Sequence, residues 1–296
     1  MFGMKPKVYD TTRKGLYYPE QVSAFDVEDF VPFDPTLTGF SKANAWWMAN
    51  AAHLAYHSLQ DIETRLNEIG YELLHHTHHS QTFCYVAANE ESAFVAFRGT
   101  QFRNKIDAKT DLNFPFTRLK RSEHKAKVHR GFSNALDVIS KDIQPTLNKL
   151  SSQNIPVRYT GHSLGAALAV LCSAWIPATE VYTFGSPRIG NNKFCRHHVQ
   201  ENVHRVVNCC DIVCLLPPHG LGFRHAGTEY FISPDFQVIS DLKKTRQFII
   251  KGKAVLKYQL RFPLLRKDNI LLRSLADHSI VNYSTGLWNS LALYEL

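Results

Sequence analysis

Apolar residues recur three and four apart at Ala45, Met48, Ala49, Ala52 and Tyr56, behind Ser41, which can cap a helix. Two strand-like runs, Thr82 to Ala88 and Ser92 to Phe97, flank the polar turn Asn89, Glu90 and Glu91, so a hairpin fits. Phe132 to Leu150 reads as a helix that Pro145 should kink or split. After it the pattern alternates. A β-branched run from Ile155 to Thr160 precedes a small-residue helix to Trp175, then come a strand Glu180 to Phe184, a loop Gly185 to Gly190, a short helix and a strand Val203 to Asn208. Alternating strands and helices predict an α/β fold, with a mostly parallel sheet covered on both faces and an antiparallel hairpin near its start. Such sheets bind ligands beyond the carboxyl ends of their strands.

Composition adds bounds. With 296 residues and 44% hydrophobic content the chain can bury one large core, and no repeat or flexible linker divides it, so 1–296 is expected to be one domain. Residues 1–40 alternate prolines with aromatics and read as an arm on the surface of that core. The first residues contain no apolar run of signal-peptide length, no segment approaches a membrane span, and the six cysteines form no spaced framework. These features predict reduced thiols and a cytoplasmic location, with peripheral membrane contact or export by a signal-less route as alternatives.

The net charge of +8 is local. Residues 241–275 hold ten Lys/Arg against two acids and residues 101–130 nine against three, leaving a mildly acidic remainder. Apolar clusters such as Phe248 to Ile250 and Val255 with Leu256 interleave with the second group of cations. That mixture predicts contact with anionic membranes or micelles, against the plainer expectation of a solvated helical hairpin. No nucleic-acid motif accompanies the charge.

The chemistry centres on Gly161, His162, Ser163, Leu164 and Gly165, between a strand and a helix. A serine on such a sharp turn presents its hydroxyl to substrate, and the glycines on either side let the turn close. Serine needs a base, and the base a carboxylate. If the order is serine, acid, histidine, the histidines before Ser163 drop out. Among the downstream acids Asp211 follows a strand end, whereas Asp235, Asp241, Asp268 and Asp277 show no comparable strand in front of them. His278, on a late loop, is preferred to His225, while His197, His198, His204 and His219 read as surface or core residues. An oxyanion requires two donors. The Leu164 N–H supplies one, and Thr100, after the Phe97 strand, offers another. The histidines at 75, 76, 78 and 79 lack an acid or cysteine at ligand spacing, so they read as a solvated tract; no metal and no cofactor are expected.

Together the blocks AFRGT (96–100), VHRGF (128–132), GHSLGAALA (161–169), TFGSPRIGN (183–191), NCCDIVCLLPP (208–218) and DHSIVNY (277–283) resemble the class 3 lipases, the family of filamentous-fungal triacylglycerol lipases and their bacterial relatives. The resemblance implies an α/β-hydrolase fold with nucleophile Ser163, acid Asp211, base His278 and an oxyanion hole from Thr100 and Leu164. It also implies a lid after the oxyanion strand. Here that segment, 101–111, has Phe102 and Ile106 four apart as an apolar face and lacks the family's tryptophan, so a fixed helix is the alternative. Ala166 stands where the family often has a second glycine. Residues 235–275 form a basic insertion between acid and base that no family role covers. The expected activity is hydrolysis of acyl-lipid esters through an acyl-enzyme, acylglycerols leading and phospholipase A1 action as the alternative. A silent lipid- or protein-binding scaffold is the alternative of another class, and the oligomeric state is open.

Overall fold

The computed structural model describes residues 4–26, 31–100, 115–119, 124–199, 201–263 and 270–292. The strands are β1 (Glu72–His79), β2 (Thr82–Ala88), β3 (Ala93–Phe97), β4 (Phe116–Arg118), β5 (Lys127–His129), β6 (Val157–His162), β7 (Glu180–Phe184), β8 (Val203–Asn208), β9 (Thr228–Ile232) and β10 (Val238–Ser240). The helices are α1 (Lys14–Tyr17), α2 (Lys42–Leu54), α3 (Leu59–Glu68), α4 (Arg130–Ser152), α5 (Leu164–Ser173), α6 (Asn192–His197), α7 (Lys244–Arg261), α8 (Arg273–Ala276) and α9 (Ile280–Ala292).

Eight strands make one sheet in the order β1-β2-β3-β6-β7-β8-β9-β10, while β4 and β5 form a separate ribbon. From β3 to β9 every pairing is parallel, and the edges β1-β2-β3 and β9-β10 are antiparallel. The central strands β2, β3, β7 and β8 are buried along their whole length, as strands covered on both faces must be. One face packs α2, α3 and α9 with Trp46, Trp47, Phe94, Phe184 and Trp288; the other packs α4 and α5 with Leu136, Ile139, Ile143, Tyr159 and Leu168.

Several expectations are corrected. Helix α4 runs unbroken through Pro145. Pro145 is exposed, so the carbonyl deprived of its donor by the proline can face water. The histidine tract is strand β1, whose outward positions alternate with inward ones until Thr77; polar side chains hid its period. Asp235 and Asp241 do follow strands, β9 and β10, but both are exposed. The N-terminal segment does more than lie on the surface, because Ala24 and Phe25 enter the core beside Trp46 and Trp47. In the basic segment 241–275 the described residues hold the long helix α7 and part of the short helix α8, while 264–269 lie outside the described residues.

Candidate active site

Strand β6 ends at His162 and α5 begins at Leu164, so Ser163 alone must reverse the chain. It does so with φ 58° and ψ −124°, a conformation costly for a residue with a Cβ. The turn closes because its flanks are glycine. A Cβ on Gly161 would lie 2.3 Å from the backbone of Gly165, and one on Gly165 would lie 2.0 Å from the carbonyl oxygen of Phe97.

Three side chains drawn from distant parts of the chain meet there. Ser163 Oγ lies 3.0 Å from His278 Nε2, and His278 Nδ1 lies 2.9 Å from Asp211 Oδ2. All three are buried. Burial would raise the Asp211 carboxyl, but the His278 imidazole and hydrogen bonds from His278, Tyr283 and the Val213 N–H outweigh it and hold the pKa below the usual value. An ionised Asp211 accepts from Nδ1–H and leaves Nε2 free to accept from the serine hydroxyl. Gly185, after β7, has φ +62°, and a Cβ there would come 2.8 Å from Asp211 Oδ2 and 3.0 Å from His278 Nδ1. That glycine is what lets β7 pass over the pair.

Leu164 opens α5, where the first N–H groups lack an intrahelical acceptor. On the other side, Phe97 pairs with Gly161, and a Cβ on Gly99 would stand 3.0 Å from Ser163 Cβ. Thr100 therefore follows directly on a segment packed against the elbow. Phe102 and Ile106, the expected lid residues, lie outside the described residues.

Sequence reasoning missed the residues that hold this arrangement. Tyr283 Oη donates to Asp211 Oδ2 at 2.6 Å and accepts from the Asn208 N–H. His162, dismissed as a base because it precedes Ser163, is buried and its pKa is pushed down to about 3, mainly by that burial. Its neutral ring has one N–H. Because the partner of Nε2 is a carbonyl oxygen, that of His278 at 2.7 Å, Nε2 carries the proton and Nδ1 accepts from Tyr56 Oη at 2.8 Å. Tyr56 in turn accepts from the Gly99 N–H. The histidine inside the pentapeptide was the available signal.

Asp277, next to the histidine, is a second buried carboxylate. It is 2.7 Å from Arg273 Nε and accepts from the Cys210 N–H and from Tyr9. Both of its oxygens are engaged by these partners, so it fixes the loop. Residues of the N-terminal segment clamp the same loop: Leu271 N–H donates to Thr11 O, Ser279 to Gly15 O, and Asn282 exchanges hydrogen bonds with Asp10. Among the described residues Cys209, Cys210 and Asp277 approach one another closely enough to share a metal. Asp277 is already committed to Arg273, which disfavours that use.

The family model described as Lipase (class 3) matches residues 94–221. A lipase of Rhizomucor miehei is 33% identical over 159 residues, 49% of this chain and 43% of that protein. The secreted mono- and diacylglycerol lipase 1 of Fusarium solani is 34% identical over 113 residues, 36% of this chain and 34% of its own. The matches thus span less than half the length of these relatives. In three dimensions the lipase of Rhizopus microsporus var. chinensis superposes with a TM-score of 0.55 at 27% identity, over 66% of this chain and 76% of that one. The cytoplasmic expectation is corrected here, since the Fusarium solani protein and a relative from Malassezia globosa are named as secreted. Free thiols do not by themselves decide a compartment. No helix among the described residues is long and apolar enough to cross a membrane. The six ordered sequence blocks, the family model matched over residues 94–221 and the shared α/β-hydrolase fold make this chain similar to the class 3 lipases.

Proposed function

We propose that the chain is a serine carboxylic-ester hydrolase acting on acyl lipids, with Ser163 as nucleophile, His278 as base and Asp211 as its carboxylate partner. The observation that carries this reading is the continuous hydrogen-bond chain from Ser163 Oγ through His278 to Asp211, at 3.0 and 2.9 Å, on a strained strand-to-helix turn. His278 Nε2 takes the serine proton as Oγ attacks the ester carbonyl. The resulting oxyanion rests on the N–H of Leu164, at the positive end of α5, and on Thr100. His278 then protonates the leaving alcohol, and a water molecule, deprotonated by the same imidazole, releases the fatty acid.

Acylglycerols are the proposed substrates, supported by relatives named as mono- and diacylglycerol lipases. Phospholipid esters are the second reading, favoured by the cations concentrated in α7. Either substrate would be met at a lipid surface, and peripheral contact with anionic lipid belongs to the same proposal.

The test compares wild type with Ser163→Ala on short- and long-chain p-nitrophenyl esters, an emulsified diacylglycerol and phosphatidylglycerol. Loss of about 10⁶ in kcat in the variant is expected on whichever esters the wild type cleaves. Undiminished turnover in Ser163→Ala would remove the nucleophile assignment, and an inactive wild type would favour a scaffold.

A further inference from the structure

Helix α7 packs on the sheet by one side only. Ala254 joins Val207, Cys209 and Phe231, Tyr258 donates to the carbonyl of Leu271, and Lys244 and Gln247 reach Glu229. The opposite side carries Phe248, Ile249, Leu256 and Leu260, which are 79%, 55%, 59% and 75% exposed. At 3.6 residues per turn these four fall within about 120° of the helix circumference. Thr245 and Gln259 share this arc, yet its large exposed side chains are apolar, where a solvated helix would be mainly polar. Arg246, Lys253 and Lys257, all exposed, border the apolar stripe along one edge, and the 18 residues of α7 include six Lys/Arg and no acid.

The position of the helix matters as much as its pattern. Its middle turns touch the segment leading into Asp211, through Ala254 against Cys209 and Cys210 against the Lys251 carbonyl. Its last turns reach Leu271, on the segment leading to His278. Two further exposed apolar side chains flank the same region, Ile212 directly after Asp211 and Leu272 on the segment leading to His278.

Resting on the hydrolase reading for its purpose, though not for its test, we propose that α7 is an interfacial helix whose Phe248, Ile249, Leu256 and Leu260 enter the headgroup region of an anionic phospholipid surface while Arg246, Lys253 and Lys257 meet its phosphates. A phospholipid surface is the partner that complements both halves of the face. Apolar side chains partition into the acyl boundary, and cations without a balancing acid pair with lipid charge. A protein groove could cover the stripe but would leave the unbalanced cations to be matched separately. Docked in this way, the helix would hold the acid and base loops at the lipid surface.

The experiment uses the full chain with vesicles of phosphatidylcholine alone and of phosphatidylcholine with phosphatidylglycerol, read by co-sedimentation at low and high salt. Wild type should bind the anionic vesicles about tenfold more tightly than the neutral ones, with the preference lost in high salt. The triple variant Phe248→Ser, Leu256→Ser, Leu260→Ser changes only exposed side chains and should lose binding about tenfold, and Arg246→Glu with Lys253→Glu should lose the anionic preference. Hydrolysis of a soluble p-nitrophenyl ester, measured in parallel, reports the catalytic reading separately. Vesicle binding without soluble-ester hydrolysis would sink that reading and leave the docking helix standing. Equal vesicle binding by wild type and the triple variant would overturn the proposal, as would a wild-type dimer that the triple substitution dissolves and vesicles fail to displace.

Discussion

His162 Nε2–H donates to the backbone carbonyl of His278 across 2.7 Å, so the residue before Ser163 holds the loop that carries the proposed base. On its other side the ring accepts from Tyr56, which accepts from the Gly99 N–H. One buried chain of hydrogen bonds therefore ties the segment leading to Thr100, the elbow and the base loop to one another.

His162 is accordingly a positioning residue. His162→Phe fills similar space without either hydrogen bond and is expected to lower kcat on a soluble ester by about 10²-fold, with a smaller change in KM, because small displacements of a reacting group cost that much. His162→Gln can still donate to the His278 carbonyl and should recover part of the loss. Equal kcat for wild type and His162→Phe, both folded by circular dichroism, would refute the role.

Tyr283 supports the carboxylate rather than the imidazole. Its hydroxyl donates to Asp211 at 2.6 Å, and burial together with the Asp211 charge keeps the phenol pKa far above normal, so it remains a donor. Tyr283→Phe should cost about 1.5–3 kcal/mol of stability at pH 7, the usual worth of a hydrogen bond to a charged group. Asp211 has a folded pKa below its ordinary value of 3.8, partly through this bond. Such a contribution is complete above the unfolded pKa and fades as the carboxylate is protonated below it. Urea unfolding should thus show the wild-type and variant curves converging as pH drops under about 3.8.

Two buried histidines make the fold acid-sensitive. Burial lowers His53 and His162 from 6.5 to about 3. Below pH 6.5 the unfolded chain takes up protons that the folded chain refuses, so stability present above pH 6.5 is lost progressively down to about pH 3. Each such histidine contributes a slope of about 1.4 kcal/mol per pH unit. His53 binds the Pro19 carbonyl, a contact glutamine can imitate. His53→Gln should reduce the slope of unfolding free energy between pH 6 and 5 by about one such unit, measured by urea titration at each pH. An unchanged slope would show that His53 is not held neutral by the fold.

Much of the fold was legible because its signals were local. The strand before Ser163, the small-residue helix after it and the strand ending at Asn208 each announce themselves by composition, and together they set the parallel order. Strand β1 was hidden because its four histidines masked the alternation. Strand β9 was hidden because Thr228, Glu229 and Tyr230 are polar or partly exposed and follow a glycine turn. Chain order directed attention to Ser163, Asp211 and His278, but nothing local could reveal Tyr56, Tyr9 or Tyr283. Their partners lie 106, 268 and 72 residues away in sequence. The same order that excluded His162 as a base concealed its contact with the base loop.

Adjacent to His278 the chain offers a competing carboxylate, and the two acids make opposite predictions. Asp211 contacts the imidazole Nδ1, whereas Asp277 is spent on Arg273, Tyr9 and the Cys210 N–H. The buried Asp277 also holds the Arg273 guanidinium firmly protonated. Asp211→Asn should preserve the fold and lower kcat by about 10⁴, because an amide cannot enforce the tautomer or stabilise the imidazolium. Asp277→Asn leaves Arg273 buried without its counter-charge and should cost about 3–5 kcal/mol of stability, with kcat of the remaining folded enzyme falling far less. Measuring kcat and urea midpoints for both variants separates the roles. If Asp277→Asn were the variant that stayed stable and lost turnover, Asp211 could not be the acid of the proposed triad.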